Sequence, residues 1–184
     1  MRIVAGEHRG HRLESPSGKD VRPTSGLARE SLFNVLSHGK FAADGNPLSD
    51  ANVLDAFAGS GANGLEALSR GAAHAYFIES HKPALSVLRT NIQSLGESRR
   101  ATVLTANVLY PPRARAACDL VILDPPYNET VAGEALGALK AAGWIAEGAL
   151  IAVELAKTSD LDAPEGFETL DTRTYGKAKI AFLT

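Results

Sequence analysis

From residue 52 onward, apolar and polar positions follow two alternating rhythms. Short apolar runs at 53–57, 75–78, 101–104, 120–123 and 150–153 read as buried strands. Between them, stretches at 62–70, 83–95 and 131–142 carry apolar residues three and four apart and read as helices. The second of these has Pro83 in its first turn, where a missing N–H is tolerated. Two final runs, 167–174 and 179–183, are too close to hold a helix between them and must pair as an antiparallel hairpin. This alternation predicts an α/β, Rossmann-like fold: a seven-stranded, mostly parallel sheet ending in an antiparallel C-terminal hairpin, with ligands at the carboxyl ends of its strands.

The first 45 residues follow a different pattern. Residues 2–5 and 11–14 read as short strands around a turn at 6–10, giving a β-hairpin. Residues 15–24 form a loop rich in Ser, Pro and Gly. Thr24 or Ser25 can cap a helix running to about Ser37, with Leu27, Ala28, Leu32, Val35 and Leu36 on one face. The Gly/Asp/Asn/Pro-rich stretch 39–51 separates this N-terminal extension (1–45) from the main domain (46–184).

Composition narrows the setting. The 184 residues are 45% hydrophobic and 22% charged, as in an ordinary globular protein. No apolar run approaches the ~20 residues that span a bilayer, and the first residues lack the apolar core of a signal peptide. A single cysteine, Cys118, rules out an internal disulfide and fits a cytoplasmic protein. At the head of an apolar strand, Cys118 reads as a small buried hydrophobe. The net charge of −2 conceals a division: residues 1–40 carry seven Lys/Arg against four Asp/Glu, and the rest carries twelve against seventeen. The extension is therefore either a solvated arm or a local basic face for phosphates.

The loop after the first core strand, Asp55-Ala56-Phe57-Ala58-Gly59-Ser60-Gly61, carries the first candidate chemistry. Gly59, Gly61 and Gly64 satisfy G-x-G-x-x-G, although Gly64 also reads as a tight helix contact. Asp55 sits where a dinucleotide would place its pyrophosphate and would repel that anion. It suits a cationic ligand instead, such as S-adenosylmethionine with its ammonium and sulfonium groups. Glu79, at the next strand end, suits the paired hydroxyls of a ribose, or is a solvated strand-end acid. Asn107, after the third strand, can bond an adenine amine through its amide or serve as a turn asparagine.

The second candidate is Asp124-Pro125-Pro126-Tyr127, directly after the apolar run 120–123. A nucleobase amine is a poor nucleophile because its lone pair is conjugated with the ring. Acceptors on Asp124 and the Pro125 carbonyl can hold its hydrogens and favour a tetrahedral nitrogen that attacks a methyl group in line. Proline fixes φ and brings no competing N–H, and Tyr127 can stack on the base. Such a transfer runs on positioning and electrostatics and requires no metal.

The chain resembles class I S-adenosylmethionine-dependent methyltransferases with a D/N-P-P-Y motif, and more closely the bacterial RsmD family. The resemblance rests on Met1-Arg2-Ile3-Val4-Ala5-Gly6, Arg22-Pro23-Thr24-Ser25, Arg29-Glu30-Ser31-Leu32-Phe33-Asn34 and Leu54 through Gly61. It continues in Glu66-Ala67-Leu68-Ser69-Arg70-Gly71-Ala72, Asp124-Pro125-Pro126-Tyr127 and Tyr175-Gly176. It implies methylation of N2 of a guanine in 16S ribosomal RNA (the G966-type site), within an assembled or assembling small subunit. A monomer acting on a flipped base is implied with it.

By the same resemblance, Asp55, Gly59 and Gly61 bind the cofactor's methionine part and Glu79 its ribose, and Phe57 also contacts the cofactor. Thr24, Asn107 and Asp124 are further cofactor contacts. Asp124, Pro125 and Tyr127 hold the base, and Arg9, Arg12, Arg22 and Arg29 meet RNA phosphates. The chain departs from the family pattern at Asn107, where Asp is usual, and at Gly26-Leu27, where Asp-Arg is usual. Alternatives by residue chemistry are an adenine-N6 methyltransferase for DNA or RNA, a glutamine-amide methyltransferase, a dinucleotide-dependent oxidoreductase, or a non-catalytic RNA-binding module.

Overall fold

The computed structural model describes residues 1–15, 26–38, 40–43, 45–125 and 129–184. The elements are α1 (Gly26–His38), β1 (Asn52–Ala56), α2 (Ala62–Ser69), β2 (His74–Glu79), α3 (Lys82–Ser94), β3 (Ala101–Thr105) and β4 (Cys118–Leu123). They continue with α4 (Glu129–Ala141), β5 (Ile145–Ala156), β6 (Thr169–Tyr175) and β7 (Ala178–Leu183). The strands form one seven-stranded sheet in the order β3-β2-β1-β4-β5-β7-β6. The first five are parallel to their neighbours. β7 enters antiparallel between β5 and β6, as the short connection required. No helix among the described residues is long and apolar enough to cross a membrane.

The sheet is covered on both faces, which explains its continuous apolar strands. On one face, Val53, Phe77, Leu120, Ile122, Ala152 and Phe182 pack against α1, α2 and α3 together with Ile3 and Leu13. On the other, Leu54, Ile78, Val121, Leu123, Ile151 and Val153 pack against α4, Trp144 and Val108. The connection from β3 to β4 covers this second face without a helix. It is tied down where Trp144 Nε1 donates to the Pro112 carbonyl at 2.8 Å.

Two elements differ from expectation. β5 begins five residues before the apolar run at 150, because its register to β4 shifts between Cys118↔Ile145 and Leu120↔Leu150. The extra residues include Gly148 at φ 71°, so a bulge lets the strand continue through a stretch that lacks the apolar pattern. The N-terminal hairpin is reduced to one antiparallel bridge, Arg2↔Arg12, with the Ile3 amide donating to the His11 carbonyl at 3.0 Å. Its stability comes from the core beneath it rather than from a ladder. Ala28, Leu32, Val35 and Leu36 of α1 are buried as expected, and Phe33 joins them. The proposed caps Thr24 and Ser25 lie outside the described residues.

The extension is clamped to α2 and α3 by buried polar groups. Glu66 accepts from the Val4 amide at 2.8 Å and the Ala5 amide at 3.1 Å, and pairs with Arg70 Nε at 2.7 Å. The Ser69 hydroxyl donates to the Ala5 carbonyl at 2.6 Å, and the Glu7 amide donates to the Ser69 carbonyl at 2.8 Å. Gly6 makes this approach feasible: a Cβ there would lie 1.7 Å from the Ser69 carbonyl oxygen. Asn91 of α3 accepts from the Glu14 amide at 2.8 Å and donates to the carbonyls of Glu14 and Ser60.

Candidate functional site

The site lies where the sheet order turns back, with β1 flanked by β2 and β4. The pairings Ala56↔Ile78, Ala56↔Leu123 and Glu79↔Thr105 bring the ends of four strands to one edge. This is the crevice in which open parallel sheets bind ligands. Asp55, Glu79 and Asp124 stand on three adjacent strands of that edge and are close enough for the other two to act electrostatically on Asp55.

The chain after β1 is held open by strain and by hydrogen bonds. Phe57 adopts φ 62°, a left-handed conformation rare for a bulky residue, and turns the backbone sharply out of the strand. The Gly59 amide donates to Glu79 Oε2 at 2.8 Å, and the amides of Ser80 and His81 donate to Oε1 at 2.8 and 2.7 Å. Glu79 is therefore the clasp that joins the loops after β1 and β2. An ionised carboxylate offers about four lone-pair directions, so one remains for a ligand hydroxyl.

The three glycines of the G-x-G-x-x-G pattern have three separate reasons. Gly59 has φ 55°, and the nearest atom to an added Cβ is 4.0 Å away, so the space above it is kept clear. A Cβ on Gly61 would meet Leu88 at 2.3 Å, and one on Gly64 would meet the Phe77 ring at 2.3 Å. Gly61 and Gly64 thus let α2 pack on α3 and β2, and Gly59 alone is left to approach a ligand.

Asp55 is 1% exposed and accepts from the Gly64 amide at 2.9 Å. Burial, and then its acidic neighbours Asp124 and Glu79, push its carboxyl up to about 8, against the Gly64 bond and the Arg29 charge. It is therefore a neutral buried acid below the crevice until it loses its proton, and it faces no solvent as an exposed ligand would. The unfolded chain releases this proton near pH 4, whereas the folded chain holds it to about pH 8. Stability is expected to fall as pH rises between those values. Asp55→Asn, which keeps an acceptor for the Gly64 amide, should flatten that fall. Denaturant midpoints at pH 5 and pH 8 measure it, and a wild-type midpoint that rises with pH would refute the assignment.

Asp124 is half-buried and Pro125 buried at the end of β4, beside the β1 loop. Asn107 Oδ1 accepts from the Leu109 amide at 3.0 Å, so its side chain builds the turn after β3. Arg9 and Arg12 are exposed on the extension. Arg22, Thr24 and Tyr127 lie outside the described residues. Arg29 corrects the sequence expectation of a phosphate contact. It is 2% exposed, its Nη2 donates to the Arg2 carbonyl at 2.8 Å, and it lies near the charges of Glu66, Asp55 and Glu154. Desolvation lowers its affinity for a proton, and it serves as an interior counter-charge.

The sequence reading missed the structural roles of Glu66 and Asn91. One signal was available: the segment 62–69 is apolar or small nearly all round, which marks a helix buried on every side. An acid inside such a helix must have partners.

The sheet order, the glycine turn and the acidic strand ends define the Rossmann-like fold of class I methyltransferases. The chain belongs to the family described as conserved hypothetical protein 95, the RsmD family of the sequence resemblance, whose model matches residues 1–184. It is 35% identical over 180 residues to "Ribosomal RNA small subunit methyltransferase D" of Haemophilus influenzae, covering 96% of this chain and 89% of that one. The protein of the same name from Escherichia coli K12 is 37% identical over 155 residues, 84% of this chain and 74% of that one. Among solved structures, a putative methyltransferase, yhhF, from Escherichia coli superposes with a TM-score of 0.82 at 33% identity, covering 100% of this chain and 96% of that one.

Proposed function

We propose that this protein transfers the methyl group of S-adenosylmethionine to N2 of a guanine in small-subunit ribosomal RNA. One observation carries the reading: the Ala56↔Leu123 register sets the Asp124-Pro125 ledge beside the Gly59 loop, above the buried Asp55. The negative potential of Glu79 and Asp124, joined by Asp55 once it ionises, suits the ammonium and sulfonium of the donor, the clear space over Gly59 suits its close approach, and the remaining acceptor of Glu79 suits its ribose. Such a cation favours ionised Asp55, so donor binding releases a proton and tightens as pH rises toward 8.

On the other side of β1, Asp124 and the Pro125 carbonyl accept the amine hydrogens and direct the nitrogen lone pair at the methyl carbon. The bound donor would supply the methyl carbon, the N–C bond forming as the S–C bond breaks to a neutral thioether, and the amine proton would pass to solvent. RNA as the substrate is supported by the names of the methyltransferase D relatives and by the exposed Arg9 and Arg12. Guanine N2 rests on the family resemblance.

Mass mapping of ribosomal RNA from cells lacking the protein is the test. One small-subunit guanine should lose a methyl group and regain it on complementation. If every guanine stays methylated, the substrate is wrong; a methyl lost from an adenine would move the reaction to N6.

A further inference from the structure

An open groove lies outside the crevice, between α1 and β6. It has a volume of about 300 Å³ and is lined by Ser31, Asn34, Val35, His38, Arg173 and Tyr175. We propose that it is a second nucleotide subsite for the RNA, with a phosphate on Arg173 and a base against Tyr175. This rests on the RNA substrate proposed above.

Position is the first argument. β6 runs parallel to β5, since each is antiparallel to β7, so Tyr175 ends its strand at the same edge as the Asp124 ledge. Tyr175 pairs with Ala178, which pairs with Ala156, whereas Leu123 of β4 is level with Val153. The ends of β5, β7 and β6 therefore form a raised rim beside the ledge. From β4 to β6 is three strand spacings, roughly 14 Å. The cofactor crevice lies on β1, β2 and β3, across β4 from this rim, so the groove is on the substrate side.

Chemistry is the second argument. The lining offers a guanidinium, an imidazole, a phenol, an amide and a hydroxyl, and no carboxylate. Arg173 is oriented by Nε, which donates to Asp171 at 2.9 Å, and by a hydrogen bond with Tyr175, and its remaining terminal N–H groups can meet a phosphate. The Tyr175 ring is half-buried against the core and offers a stacking surface. Asn34 can bond a base edge through both amide atoms. Ser31, Val35 and His38 of α1 complete the lining.

The test compares binding to naked 16S ribosomal RNA across a salt series with steady-state methylation. Arg173→Ala should weaken RNA binding about tenfold, raise KM for RNA with kcat within about twofold, and reduce the slope of log affinity against log salt by about 0.7–0.9. Arg173→Lys should restore most of that slope, and Tyr175→Ala should cost about tenfold in affinity with the slope kept. Donor affinity by calorimetry should be unchanged in all three. Arg99→Glu, an exposed change on the 3₁₀ turn Glu97–Arg99, serves as a control for general charge effects. If Arg173→Ala keeps wild-type affinity and slope, the subsite is refuted. A loss seen only on assembled subunits would assign the groove to a protein contact and equally overturn it. A wild-type protein that methylates no RNA would refute the proposed function instead, a result separable from these.

Discussion

Asp124→Ala is expected to reduce methyl transfer by about 10²–10³-fold in kcat, the scale seen when one preorganised polar contact to a transition state is removed. The amine's hydrogens would lose a charged acceptor while the Pro125 carbonyl kept one. Donor binding should survive, because removing Asp124 also removes a repulsion that raises Asp55, and Asp55 then ionises more readily beneath the cation. Asp124→Asn, which retains an acceptor oxygen without the charge, should fall between the two. Single-turnover transfer with calorimetry on the same samples separates chemistry from binding. A fully active Asp124→Ala protein would remove the ledge from the mechanism.

Glu66→Ala is expected to be the most damaging change to stability, costing about 3–5 kcal/mol because it strands buried charges without a partner. Glu66 is 0% exposed and holds two backbone amides of the extension as well as Arg70. Arg29, itself 2% exposed, also depends on it for compensating charge. For a chain of this size that loss corresponds to roughly 6–20 °C in Tm. Glu66→Gln keeps one acceptor oxygen and should lose less. Thermal unfolding by circular dichroism, with limited proteolysis of residues 1–15, reads both the stability and the release of the extension. A shift under about 2 °C in the alanine variant would show that the clamp contributes little.

Much of the fold could be read from periodicity, because strands buried on both faces are apolar throughout and α3 and α4 keep one apolar stripe. β5 could not be read in full, since its first residues stay in the sheet through a bulge at Gly148 that carries no apolar pattern. The crevice was legible as residue types at strand ends: Asp55, Gly59, Glu79 and Asp124 occur where a parallel sheet places its ligands. Their division of labour was not. Glu79 joins two loops through three amides, Gly61 and Gly64 serve packing, and Asn107 builds a turn.

Arg29 shows the limit most clearly. A cation in a basic segment reads as a surface contact, yet helix α1 turns this one inward to face Glu66 and Asp55. The sequence by itself determined the strand–helix alternation, the antiparallel end and the presence of an acid before a glycine turn, because these follow from local spacing and backbone sterics. Only the tertiary structure decided which charges are buried, that Asp55 holds a proton to about pH 8, and that α1 and β6 flank an open groove. Those properties depend on desolvation and on neighbours distant in the chain, which local spacing does not record.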